Sequence, residues 1–126
     1  MRFTETILVV DDDRTVRRGA ADALRRIGYD VLEAGSGAEA MAVLEGHEGA
    51  VHLLLTDVSM QGMDGGELAE AAQAARPELR VLFMSGYTGG APLHDSVREE
   101  GGISFIAKPF VQDQLLRKVK AALEST

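Results

Sequence analysis

The sequence predicts an α/β fold, a doubly wound parallel sheet with helices on both faces. Three observations predict it. Short apolar runs rich in branched residues recur along the chain, stretches of helical periodicity fill the gaps, and the two kinds of segment alternate five times. The 126 residues suit a single domain, 1–126, built on one core.

Ile7 to Val10 is the first strand; its apolar residues do not alternate with polar ones, as expected of a strand covered on both sides. Val16, Ala20, Leu24 and Ile27 then form one helical stripe, and Gly28 suits the helix stop. Tyr29 to Ala34 carries Asp30 and Glu33, a polarity that places it at a sheet edge. Ser36 and Glu39 have the spacing of a capping box and start the second helix. Val51 to Leu55 is the third strand. A second box, Asp64 and Glu67, opens a helix striped by Leu68, Ala71, Ala72 and Ala75. Val81 to Met84 is the fourth strand. The glycine-rich segment 85–92 reads as a loop, and Pro92 fits the first turn of a fourth helix. Ile103 to Ala107 is the fifth strand, and Leu115, Leu116, Val119 and Leu123 stripe a fifth helix. Strand, helix, strand at this spacing implies right-handed crossovers.

Composition narrows the function. A formal net charge of -7 disfavours broad binding to DNA or anionic lipid. The basic clusters Arg14, Arg17, Arg18, Arg25, Arg26 and Arg117, Lys118, Lys120 read as solvated helix faces, with no interleaved aromatics for stacking on single strands. No apolar run is long enough to span a membrane, and Met1 to Glu5 lacks the features of a signal peptide. The chain has no cysteine, which removes disulfides and thiolate chemistry and fits a cytoplasmic protein. His47, His52 and His94 share no metal-ligand spacing.

In such sheets ligands bind outside the carboxyl ends of the strands. The residues there form a coherent set. Asp11, Asp12 and Asp13 follow the first run, Thr56 and Asp57 the third strand's run, Ser85 the fourth strand's and Lys108 the last. Three adjacent carboxylates need compensation by a cation, a helix N-terminus or solvent. Carboxylates without His or Cys suit a hard, oxygen-loving ion, chiefly Mg²⁺. A carboxylate beside such an ion can attack phosphorus, while ammonium and hydroxyl groups neutralise the transferring phosphoryl oxygens. Each residue alone has a plainer reading: a solvated turn, a helix cap or a surface lysine. The plain readings must all hold together to displace the site.

The segments "ILVVDDD", "LLLTDVSMQGMDG", "VLFMSG" and "FIAKPF", in this order, resemble the receiver domain of two-component response regulators over essentially the whole chain. The resemblance implies a flavodoxin-like (βα)5 fold with strand order 2-1-3-4-5. It implies that Asp57 is the phosphoacceptor, that Asp12 and Asp57 hold Mg²⁺ with Asp11 acting through water, and that the Ser59 backbone carbonyl completes the protein ligands. Ser85 matches the switch hydroxyl, Lys108 the lysine that grips the phosphoryl group, and Phe105 the aromatic switch. Ser59 and Tyr87 would flank the site and tune the phosphoryl lifetime. The Lys108–Pro109 bond of such domains is usually cis. Partners would be a sensor histidine kinase or histidine phosphotransfer protein, and a downstream target on the face of the fourth helix, fifth strand and fifth helix. The segment "FMSGYT" looks like receivers joined to or partnered with sensor kinases. The expected setting is a single-domain regulator or the receiver of a hybrid kinase, a signalling domain rather than an enzyme. Gln61 departs from the family's frequent proline, and Asp13, extra to the acidic pair, reads as a helix cap.

Three other readings compete. "ILVVDDDRT" also resembles the nucleophile motif of haloacid-dehalogenase-like phosphatases, with Asp11 attacking and Asp13 as acid–base. That reading leaves Asp57 without a role and provides no later acidic pair for the metal. A receiver-like scaffold that binds without phosphorylation is a second; the complete residue set disfavours it. Gly35 to Ala40 fits G-x-G-x-x-A, but it follows an edge strand, and the capping box already explains Ser36 and Glu39.

Overall fold

The computed structural model describes residues 5–60, 62–85, 103–108 and 110–124. Its elements are β1 (Thr6–Val10), α1 (Arg14–Arg26), β2 (Asp30–Ala34), α2 (Gly37–Gly46), β3 (Leu53–Asp57), α3 (Gly65–Ala75), β4 (Arg80–Ser85), β5 (Ile103–Ala107) and α4 (Gln112–Glu124). The loop 86–92, the helix expected from Pro92, Tyr87, His94, Gln61 and the Lys108–Pro109 peptide lie outside the described residues. The C-terminal helix, fifth in the sequence expectation, is α4 here.

All five strands are parallel, in the order β2-β1-β3-β4-β5. The polar strand is at an edge, as its Asp30 and Glu33 predict. Side chains alternate between two cores, because successive residues of a strand point to opposite faces. Ile7, Val9, Leu55 and Met84 pack with Ala20 and Leu24 of α1 and Leu115 and Val119 of α4. Leu8, Val10, Leu54 and Phe83 pack with Ala40 and Leu44 of α2 and Leu68 and Ala72 of α3. Every residue of β1 and β3 is buried. That explains the absence of polar alternation in their apolar runs.

The expected capping side chains sit at the starts of α1, α2 and α3, the one at Ser36 as a single bond from Glu39 N–H. Asp13 accepts from the N–H groups of Thr15 and Val16 at the start of α1. At its end, Gly28 takes a positive φ of 109°. Its N–H donates to Arg25, and that of Tyr29 donates to Leu24. This pair of bonds is a Schellman motif, and it turns the chain into β2. Ser36 accepts from Glu39 N–H, and the Asp64–Glu67 box is closed in both directions.

One boundary moves. The third apolar run begins at Val51, but β3 begins at Leu53 and continues through Thr56 and Asp57. The ladder decides this: Thr56 pairs with Phe83 and Asp57 with Met84. Apolarity marks burial, whereas strand extent is set by backbone pairing, and Asp57 is a strand residue rather than the first residue of a loop.

Candidate functional site

The register brings the carboxylates together. Val10 is level with Thr56 across β1 and β3, so the next residues, Asp11 and Asp57, leave the two central strands side by side. Strand order reverses at this point, where open parallel sheets form a crevice. Ser85 ends β4 level with Ala107 of β5, and its carbonyl accepts from Lys108 N–H at 2.7 Å. Lys108 starts two strands away from Asp57, about 10 Å at the usual strand spacing. Its stem spans that gap, and the ammonium lies 3.1 Å from Asp11 Oδ2 and 3.2 Å from Asp57 Oδ1.

Asp11 is fully buried, and Asp57 is nearly so. Asp11 Oδ1 accepts from Asp13 N–H at 2.9 Å. Asp12 is exposed, yet ligand atoms of Asp11, Asp12 and Asp57 lie within 4.8 Å of one another. Thr56 is buried beneath them, its hydroxyl donating to the Asp57 carbonyl. Ser59 stands exposed two residues beyond Asp57. Phe105 of β5 is half-buried and stacks on Phe83, with ring centroids 5.5 Å apart.

The electrostatics follow from this crowding. Burial pushes the Asp57 carboxyl above its ordinary value, and Asp11 and Asp12 push the same way against the pull of Lys108. Burial opposes the charge on Lys108, but its bonds to Asp11 and Asp57 and their negative charge outweigh this and raise it. One ammonium thus bridges two carboxylates of a cluster of three. The donor set is all oxygen, and the excess negative charge fits a hard divalent cation such as Mg²⁺.

The sequence reading missed one neighbour. Arg17, read there as part of a solvated face, turns inward. Its Nη1 donates to the Asp11 carbonyl at 2.9 Å, and its Nε faces Glu33 on β2 at 3.4 Å. Helical periodicity cannot detect a backbone carbonyl as a partner. The available signal was an acidic Glu33 on the edge strand that follows an arginine-rich helix.

The phosphatase alternative is not favoured. Both oxygens of Asp11 are engaged, by Asp13 N–H and by Lys108, and Asp13 spends its carboxylate on the α1 cap. Asp57, idle in that reading, is the carboxylate bridged by the lysine.

Comparison with known proteins agrees. A family model described as response regulator receiver domain matches residues 7–120. The sensor kinase CckA of Brucella abortus is 37% identical over 119 residues, which cover 94% of this chain and 12% of that protein. The transcriptional regulatory protein DctD of Rhizobium meliloti is 31% identical over 124 residues, with 98% of this chain and 26% of that protein covered. The chain therefore spans a small part of both relatives. It spans 95% of the response regulator receiver protein CpdR of Brucella abortus, with 93% of its own residues covered at 35% identity. Among solved structures, the receiver domain from hybrid histidine kinase CckA has a TM-score of 0.80 at 38% identity, covering 94% of this chain and 99% of that one. The chain belongs to the response regulator receiver domain family, and its function is that of a phosphoacceptor domain in two-component signalling. Among the described residues, no helix is long and apolar enough to cross a membrane.

Proposed function

We propose that Asp57 is the residue that accepts the phosphoryl group, from the phosphohistidine of a sensor histidine kinase or histidine phosphotransfer protein. The observation that carries this is the Lys108 ammonium bridging Asp57 and Asp11 across the sheet. A carboxylate oxygen of Asp57 forms the new bond to phosphorus as the phosphorus–nitrogen bond breaks. The imidazole leaves with the electron pair and takes up a proton. Lys108 then turns its donors to a phosphoryl oxygen, and Ser85, at the end of the neighbouring strand, donates to another. Asp12 and Asp57, with the Ser59 backbone carbonyl and Asp11 through water, would hold Mg²⁺, which supplies positive charge beside the phosphoryl oxygens when bound.

The signal leaves through packing. As Ser85 turns toward the phosphoryl group, Phe105 moves inward and changes the face built on β5 and α4, where a downstream target binds. The domain works in the same way as a single-domain regulator or joined to a sensor kinase. Incubation with acetyl phosphate and Mg²⁺, followed by mapping of the label, tests the reading. Label on Asp57 that disappears in Asp57→Asn supports it. Label on Asp11 with turnover of phosphate esters, or undiminished labelling of Asp57→Asn, overturns it.

A further inference from the structure

We infer that Arg17 is a positioning residue for the acidic site, acting on the peptide that joins Asp11 to Asp12; this rests on the reading of Asp11, Asp12 and Asp57 as that site. The Asp11 carbonyl and the Asp12 N–H belong to one planar peptide. A donor gripping the carbonyl oxygen therefore sets the direction in which the Asp12 side chain leaves the turn. Arg17 provides this grip at 2.9 Å, from the second turn of the helix that Asp13 caps.

The guanidinium is itself held. Only 18% of the Arg17 side chain is exposed, and Glu33 Oε1 lies 3.4 Å from its Nε. Glu33 Oε2 is gripped by Arg25 at 2.9 Å, and Arg25 also donates to the Val31 carbonyl at 3.1 Å. The support thus runs from β2 through Glu33 and Arg17 to the Asp11 carbonyl. Gly35 leaves room for it: a Cβ there would stand 3.2 Å from Arg17 Nη1, so the guanidinium would have to yield. Two further bonds complete the turn, Asp11 N–H to the Ala34 carbonyl and Asp13 N–H to Asp11 Oδ1.

A purely electrostatic role makes the opposite prediction. A guanidinium near a divalent cation repels it, so removing the charge alone tightens Mg²⁺ binding. Removing a positioning group weakens it.

The experiment compares the wild-type chain with Arg17→Met, Arg17→Lys and Gly35→Ala. It follows Mg²⁺ titrations by amide NMR, and it checks the fold by circular dichroism. In Arg17→Met, Mg²⁺ affinity falls about tenfold, the scale of losing a partner behind a metal ligand. The Asp12 amide resonance moves even without metal. Arg17→Lys, which keeps one donor for the carbonyl, recovers part of the loss. Gly35→Ala weakens binding in the same direction with Arg17 intact, and it decides the matter if Arg17→Met does not fold. Unchanged or tighter binding in Arg17→Met, or in Gly35→Ala where that variant decides, overturns the inference while leaving the site reading intact. A wild-type chain that neither binds Mg²⁺ nor takes label on Asp57 overturns both.

Discussion

Gly65 presses directly on Asp57: a Cβ at position 65 would overlap the Asp57 carbonyl oxygen and crowd Val58 Cα. The same contact is closed by a hydrogen bond from Gly65 N–H to the Val58 carbonyl at 2.8 Å. The start of α3 is thus packed against the backbone that presents the Asp57 carboxylate. Alanine in place of glycine ordinarily strengthens a helix by up to about 1 kcal/mol. Here the sign reverses. Gly65→Ala loses roughly 1–3 kcal/mol, the usual scale of overpacking, and slows labelling of Asp57. Gly19→Ala in α1, where an added Cβ meets nothing within 4 Å, is the control and gains stability. Urea unfolding of the two variants checks the pair. A stabilised Gly65→Ala would show that the backbones are not in contact.

The raised Asp57 carboxyl makes the metal-free protein sensitive to acid in an unusual direction. Burial is the largest cause, followed by the charge of Asp11. A carboxyl whose folded-state value lies above its unfolded value, about 4, takes up a proton more readily in the folded state. Its contribution to stability is complete below the unfolded value and is lost as pH rises through the folded one. In chelator, the wild-type chain therefore gains stability from this group as pH falls from neutral toward about 4. Asp57→Asn is more stable than wild type at neutral pH and lacks this part of the slope. Denaturation midpoints across that window check it; identical slopes for the two proteins would remove the crowding argument.

Lys108 governs the opposite limb. It faces fully buried Asp11 and nearly buried Asp57, so removing it strands two carboxylates. Lys108→Met loses about 3 kcal/mol at neutral pH, the lower end for breaking a buried pair, because the acids can relieve the charge by protonation. The lysine is raised despite burial, because of its bonds to Asp11 and Asp57. Its stabilisation is complete below the unfolded value, about 10.4, and disappears as pH rises through the folded one. Tyr29, raised chiefly by burial and further by Glu5 and Glu124, adds to the same alkaline loss. Lys108→Met keeps the Tyr29 part alone. Alkaline unfolding curves with equal slopes in wild type and variant would show that the ammonium does not bridge the acids.

Much of this arrangement was legible in the sequence because the fold translates chain order into position. Unalternated runs such as Ile7 to Val10 mark strands buried on both faces, and the residue after such a run must emerge at the carboxyl edge. Asp11 and Lys108 could be placed by that rule, although they are 97 residues apart. What escaped depends on partners that periodicity does not see. Thr56 and Asp57 look like loop residues by polarity, and backbone pairing keeps them in β3, Thr56 with Val10 and Phe83 and Asp57 with Met84. Arg17 shares its helix with four other arginines, and nothing in the spacing distinguishes the one that turns onto the Asp11 carbonyl. The closeness of Gly65 to Asp57 is likewise a matter of packing between segments, invisible in a helix start that reads well without it.

Asp13 separates the receiver from the hydrolase reading in a single substitution. In the structure its carboxylate accepts from Thr15 N–H at 2.9 Å and Val16 N–H at 3.3 Å. That makes it the N-cap of α1, and removing such a cap costs about 1 kcal/mol. Asp13→Ala therefore loses about that much stability, while labelling of Asp57 from acetyl phosphate continues at close to the wild-type rate. Asp13→Ser restores most of the stability, since a serine hydroxyl also accepts from the first-turn N–H groups. An acid–base residue behaves differently: its loss leaves stability little changed and slows chemistry by roughly 100-fold or more, and serine does not rescue it. Unfolding midpoints and labelling rates of the two variants, measured together, distinguish these cases. Chemistry lost in both Asp13→Ala and Asp13→Ser with the fold intact would move the nucleophile back to the first strand end, to Asp11.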